Sequence, residues 1–279
     1  MIDPLLQALP YVPLVLGIYI SFHILKITDL TADGSFVLGG GLFAKLWVSG
    51  LPYGVALLGG LTAGASVGFF LAFLQKDSRM PPLLASIVCV FMLYSVNLLF
   101  MGQPNITLLF KPTPFDQTLT PLMLSTVILI VTLVLLILYT RSGLVARALG
   151  TNPTLLQQRG YCATLVRGLG LGASNALYAL SGILCVHVQK FADINMGLGL
   201  ALMGIGAVMI GRQFFMRCHL LRPDIFQGAR DITACIFGIC VYFTLMHVLL
   251  MGGINPLFLK LALGGTLITT FLSTYTRRT

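Results

Sequence analysis

Apolar stretches of about 16 to 28 residues follow one another along the chain and leave little of it over. They fall at 5–25, 34–50, 52–74, 82–101, 119–140, 161–188, 196–211, 232–251 and 256–274. A helix of about 20 apolar residues crosses a bilayer core, and in lipid a helix satisfies its own backbone polar groups. The pattern therefore predicts an all-α, polytopic transmembrane bundle of about 8–10 helices. It reads as one transmembrane domain over 1–279. Charged residues make up 9% of the chain, whereas a soluble domain carries about 25%.

The basic residues set an orientation. Net charge is +9, and all eight acidic residues are Asp. In a soluble chain such a balance would suggest nucleic acid. Here it is the topology signal of basic cytoplasmic loops. With nine crossings and a cytoplasmic C-terminus, every Arg falls inside, and only Lys45, Lys111, Lys190 and Lys260 fall outside. That arrangement puts the N-terminus outside; a re-entrant 34–50 would reverse it. The start of the chain has no basic n-region or small-residue cleavage site, so no removable signal peptide is expected.

Packing signals are generic. Pro10 and Pro13 interrupt the first run, which should enter the bilayer bent. Gly60, Gly64 and Gly68 share one helix face, as do Gly168 and Gly172, and small residues at that spacing let helices approach closely in lipid. Residues 122–138 have no such notch and read as lipid-facing. The six cysteines (Cys89, Cys162, Cys185, Cys218, Cys235 and Cys240) form no CxxC pair, and most lie in apolar runs, where a thiol is a small hydrophobe.

Two stretches are not ordinary spans. In residues 26–41, Asp29, Thr31, Asp33 and Ser35 stand at the mouth of an apolar run that carries three consecutive glycines. They read either as caps of a helix start or as part of a broken helix lining a translocation path. Residues 141–160 lie between two spans on the basic side. Leu144, Val145 and Leu149 have helical spacing. Gly150 can end that helix, Asn152-Pro153 reads as a turn, and a second short helix can begin at Thr154. This is either a surface connector or a two-helix knob that docks on a cytoplasmic partner. The outer segment 102–118 reads as an ordered loop without a regular element. With 189–196 it can form a platform for an external partner.

Catalytic chemistry is absent from the pattern. No Lys follows a Gly, which excludes the GxxxxGK phosphate loop, and there is no HExxH or GxSxG. His23, His187, His219 and His247 are scattered over different segments. No cofactor, metal site or enzymatic activity is expected of this chain.

Residues 29–40 (DLTADGSFVLGG), 141–160 with 168–182 (GLGLGASNALYALSG), and 191–211 (FADINMGLGLALMGIGAVMIG), in that order and spacing, resemble the permease subunits of ABC importers in the branched-chain amino acid and ribose family. The wording is closest to the subgroup paired with tryptophan- or tyrosine-type binding proteins. The resemblance implies a multi-pass protein of the bacterial cytoplasmic (inner) membrane that works as a homodimer. It also implies two cytoplasmic ATPase subunits, which bind ATP–Mg, and an external substrate-binding protein. Ala148, Gly150, Asn152, Pro153 and Gly160 match the ATPase-coupling segment. Where the family often carries an acid, this chain has Thr154, Gln157 and Gln158, so contact by neutral hydrogen bonds is expected. Asp29, Thr31, Asp33, Ser35, Ser174, Asn175, Tyr178 and Ser181 are then the candidates for the path lining of a small solute, an amino acid by analogy. The competing readings are an ion-coupled secondary transporter, which calls for paired carboxylates or a cation site at the midplane, and a membrane enzyme or scaffold.

Overall fold

The computed structural model describes residues 4–76, 80–109, 119–218, 227–253 and 264–265. Ten helices are present among them: α1 Pro4–Ile24, α2 Ala32–Val48, α3 Tyr53–Leu74, α4 Pro82–Met101, α5 Leu119–Tyr139, α6 Arg141–Thr151, α7 Pro153–Gln158, α8 Ala163–Gln189, α9 Leu200–Arg217 and α10 Gln227–Met251. Seven of these, α1, α3, α4, α5, α8, α9 and α10, are long and apolar enough to cross a membrane. The expected run 34–50 is α2, a shorter and largely buried helix of 17 residues. Run 256–274 lies outside the described residues apart from 264–265.

The two prolines shape α1 as expected. It passes from an α-turn through a 3-10 turn at Leu9–Tyr11 to an α-segment with Pro13 in its first turn, and ends in a π-helical turn at Tyr19–Ile24. Proline has no N–H and crowds the preceding turn, so a straight helix cannot continue through it. The ladder then stretches, with Leu25 N–H bonding Ile20 O at 2.9 Å and Ile27 N–H bonding Ser21 O at 2.9 Å. Lys26, at φ +54°, turns the chain into the irregular segment 25–31.

The glycine stripes are helix contacts. A Cβ on Gly64 would stand 2.4 Å from Ala179 Cβ, and one on Gly68 2.2 Å from Leu171 O, so α3 lies backbone-close on α8. Gly168 and Gly172 receive the ring of Phe69. On α2, Gly39 meets Ala179 in the same way. Without a hydrophobic force between helices in lipid, such close contact is what holds them. The lipid-facing reading of 122–138 fits α5. Leu124, Ile128, Leu129, Leu133 and Leu136 are exposed, and only the stripe Met123, Val127, Val134 and Leu138 is buried.

One expectation is corrected. Segment 102–118 is not free of regular structure, because β1 Asn105–Thr107 pairs antiparallel with β2 Phe191–Asp193. The register sets Ile106 opposite Ala192, and both are buried over α2. Residues 110–118 of that segment lie outside the described residues.

Two breaks organise the bundle. α8 is 27 residues long, about 40 Å at 1.5 Å per residue, and Asn175 stands near its middle. α2 starts there: Ser35 faces Asn175, and Gly39 then faces Ala179, so α2 runs parallel to α8. The second break, 194–199, descends along α2. Gly197 rests on the Asp33 carbonyl, and α9 begins at the same level. α9 then runs alongside α1, with Gly204 against Ile18 and Arg212 against His23. α1 is antiparallel to α8, since Pro10 meets Ser181 and Leu25 meets Gly170. The helices leaving the two breaks therefore point in opposite directions. Each break opens on the same local motif: Thr31 N–H bonds Asp29 Oδ1 at 2.9 Å, and Asn195 N–H bonds Asp193 Oδ1 at 2.7 Å.

Candidate functional site

The first break is closed by a buried polar cluster. Asp29, Thr31, Ser35 and Asn175 have no exposure. Asn175 uses its whole amide. Its Nδ2 donates to Asp29 Oδ2 at 3.2 Å and to Leu171 O at 3.0 Å, and its Oδ1 accepts from Ser35 Oγ at 2.6 Å. The Thr31 hydroxyl, with one proton, lies between the Asp29 carboxylate and Asn175 Oδ1, 2.9 Å from the latter. A polar group in an apolar interior costs several kcal/mol unless paired, and here all four side chains pair with one another. The cluster ties the irregular segment and the start of α2 to the middle of α8.

The other candidates from the sequence stand around it. Tyr178 is buried with its hydroxyl 3.0 Å from Ser21 Oγ, and Gly17 makes room for its ring. Ser181 Oγ donates to Pro10 O at 2.6 Å, in the 3-10 turn of α1. Ser174 Oγ bonds Gly170 O within its own helix at 3.0 Å and does not join the cluster. Asp33 serves a different helix from the one expected. No side chain caps α2 at Thr31. Instead the Asp33 carboxylate accepts the N–H of Gly199 at 2.9 Å and of Ala201 at 2.6 Å, capping α9 from across the bundle.

At the Arg-rich end the segment 141–160 forms two short helices, α6 and α7. Asn152 is the hinge between them and the cap of α7. Its Oδ1 accepts Leu155 N–H at 3.1 Å and Thr154 Oγ1 at 2.6 Å, and Pro153 occupies the first helical position. Proline is suited there because its missing N–H would be unpaired in any case. Gly160 ends the knob at φ +82°. Residues 151–160 are exposed except Leu156. Ala148 and Leu149 pack on the cluster that holds Leu25, Ile27 and Leu171.

Gly150 does not end α6, which continues to Thr151. Its role is proximity. A Cβ there would lie 2.1 Å from Ile24 O, so α6 sits directly on the last residue of α1, where the break begins. The knob thus touches Ile24, from which segment 25–31 leads on to the Asp29–Asn175 cluster.

The sequence reading missed a third polar group. Tyr19 Oη donates to Asp231 Oδ2 at 3.0 Å, Arg212 Nε stands 3.3 Å from Asp231 Oδ1, and an Arg212 N–H donates to His23 Nδ1. Tyr19 and Asp231 are 2% exposed. The only signal in the sequence is that Tyr19 and His23, four apart, share a face of the first span. Among the described residues no three His, Cys, Asp or Glu side chains are grouped to hold a metal ion.

Comparison with known proteins gives the family of the chain. The family model described as branched-chain amino acid transport system / permease component matches residues 1–272. An uncharacterized protein of Rickettsia prowazekii (strain Madrid E) is 46% identical over 271 residues, covering 95% of this chain and 94% of that protein. The tyrosine transport system permease protein of Clostridioides difficile (strain R20291) is 32% identical over 254 residues, covering 90% of this chain and 83% of that protein. No solved structure matches the chain. This multi-pass membrane protein belongs to the branched-chain amino acid transport system permease family.

Proposed function

We propose that the chain is the permease subunit of an ATP-driven importer in the bacterial cytoplasmic membrane, forming with a second copy the path for a small solute. The solute is an amino acid, aromatic by analogy with the tyrosine permease relative, and an external binding protein delivers it. Two ATPase subunits bind ATP–Mg and dock on the α6–α7 knob, and in this reading the C-terminus lies on the same, cytoplasmic side.

The observation that carries this reading is the seat of Gly150 on Ile24 O. That contact joins the knob to the break, so that a movement of one is felt by the other. Ala148, Gly150, Asn152, Pro153 and Gly160 are the coupling residues in this reading. The outward side of α7 is neutral, so the ATPase groove meets it by hydrogen bonds to Thr154, Gln157 and Gln158. The residues at the first break and on α8 line the path in this reading. In the closed arrangement their bonds to one another keep the centre of the subunit dry.

The ion-coupled reading has one observation in its favour, the fully buried Asp29 carboxylate near the middle of α8. Its oxygens are already bonded by Thr31 and Asn175, so no open cation site is formed.

The test is mild extraction of tagged protein from its native membrane, with quantitative mass spectrometry of what accompanies it. A stoichiometric ATPase carrying the GxxxxGK loop, lost when Asn152 and Pro153 are replaced, supports the reading. A lone oligomer, under conditions where a control ABC complex survives, counts against it.

A further inference from the structure

The two breaks are covered differently. From Ile27 to Thr31 no residue of the first break is exposed, so its irregular backbone and its polar cluster lie inside the subunit. The second break, 194–199, is open on one side, where Asn195, Leu198 and Gly199 are exposed. Gly197 rests on the Asp33 carbonyl, so the open side reaches the level at which α2 starts, near the middle of α8. Asp33, at that same level, is half-buried rather than enclosed.

The open side continues along α9. Leu198 is 61% exposed and Leu202 66%, and Met209 is exposed seven residues further on. Steps of four and seven keep the three on one helix face. α9 itself begins only at Leu200. Between that start and β2, this side of the subunit is made of turns and not of helix.

Hydrocarbon is the wrong cover for such a surface. Non-helical backbone at membrane depth is tolerated only where protein covers it or where it lines a water-filled cavity. An ionisable group at that depth faces the interior of an assembly or a cavity as well. Other exposed faces have no such need. On α5, Leu129 and its exposed neighbours are apolar and stand on a continuous helix, which lipid solvates.

Resting on the two-copy reading above, we propose that the second break and the Leu198–Met209 face of α9 form the surface at which the subunit meets its second copy. A two-fold axis sets the same patch of each copy against the other. The α9 faces then pack leucine and methionine side chains against their counterparts, and the two open breaks face each other across the axis. Protein on both sides keeps lipid from the turn backbone and from Asp33. The subunit is incomplete by itself, because the missing wall beside its second break is supplied by the other copy.

The test is site-directed photo-crosslinking in the native membrane. A benzophenone amino acid is placed at Leu198, at Leu202 or, as the lipid-facing control, at Leu129, in chains co-expressed with two different tags. The interface predicts a covalent dimer carrying both tags from Leu198 or Leu202, in at least fivefold higher yield than from Leu129, with the linked peptide within 194–211 of the other copy. If a probe variant fails to reach the membrane, the probe at Met209 takes its place, with the same result expected. Monomer alone from these positions, with the probe joined to lipid or to residues 256–274 of its own chain, overturns the proposal. So does a link to a different protein, or a two-tag dimer joined outside 194–211. ATP-dependent uptake by the wild-type complex tests the importer reading separately. Its absence removes that reading whatever the crosslinks show, and its presence without a two-tag link removes this interface alone.

Discussion

Asn175→Ala removes a four-bonded amide from a place that water does not reach. The bond to Leu171 O adds little, because that carbonyl lies within the helical ladder. The bond to Asp29 Oδ2 is to a carboxylate and is worth about 1.5–3 kcal/mol. Ser35 and Thr31 each lose an acceptor. Thr31 can turn wholly to Asp29, so Ser35 carries that loss, about 1 kcal/mol. The sum is about 2.5–4 kcal/mol, which corresponds to a fall in melting midpoint of about 5–16 °C for a chain of this size. The assay is thermal denaturation in detergent followed by fluorescence-detected size exclusion. Ser174→Ala is the control, since that hydroxyl makes only a local bond to Gly170 O. It should change the midpoint by no more than about 2 °C. A double-mutant cycle of Asn175→Ala with Ser35→Ala should show a coupling of at least about 0.5 kcal/mol. If Asn175→Ala and Ser174→Ala melt together, the cluster does not hold the break and the reasoning is refuted.

Other predictions follow the same geometry. Gly150→Ala drives a methyl into Ile24 O. It should cost about 1–3 kcal/mol and reduce ATPase recovery in co-purification, whereas Gly160→Ala, in open space but at φ +82°, should weaken the knob by strain alone. Gly68→Ala, aimed at Leu171 O, should lower the melting midpoint by several degrees, and Gly54→Ala, with nothing near it, should not. Tyr19→Phe deletes the bond to Asp231 and should destabilise by about 1.5–3 kcal/mol, measured by the same thermal assay. Asn152→Ala removes the α7 cap, about 1 kcal/mol of local stability, and hydrogen exchange across 153–158 should quicken without a change in the spans.

Much of the fold was legible because lipid imposes a simple rule on composition. The first eight apolar runs fell on helices, and the spacing of Gly60, Gly64 and Gly68 announced a close contact without saying against what. The break after the first span was visible in the polar residues before Gly39–Gly41. The knob was visible in Asn152-Pro153. What could not be read were pairings between segments far apart. β1 and β2 are 3 residues each, too short to leave a pattern, and their partner lies in a distant part of the chain. Asp33 looked like a cap for the helix it begins, but a carboxylate in a first turn can serve any helix start within reach, and here that was α9. Gly150 looked like a helix end because glycine serves both as a terminator and as a place of close approach, and only the position of Ile24 O decides between them. Asp231 lay at the edge of a run, and its burial came from Tyr19 and Arg212 on other helices.

The most direct measurement of the central claim is vectorial uptake. The permease would be reconstituted in proteoliposomes with its co-purified ATPase and binding protein, and a labelled aromatic amino acid supplied on the binding-protein side. The account predicts accumulation that requires ATP on the knob side, requires the binding protein, and disappears when Asn152 and Pro153 are replaced. Accumulation driven by an ion gradient without ATP, and unaffected by those replacements, would contradict it.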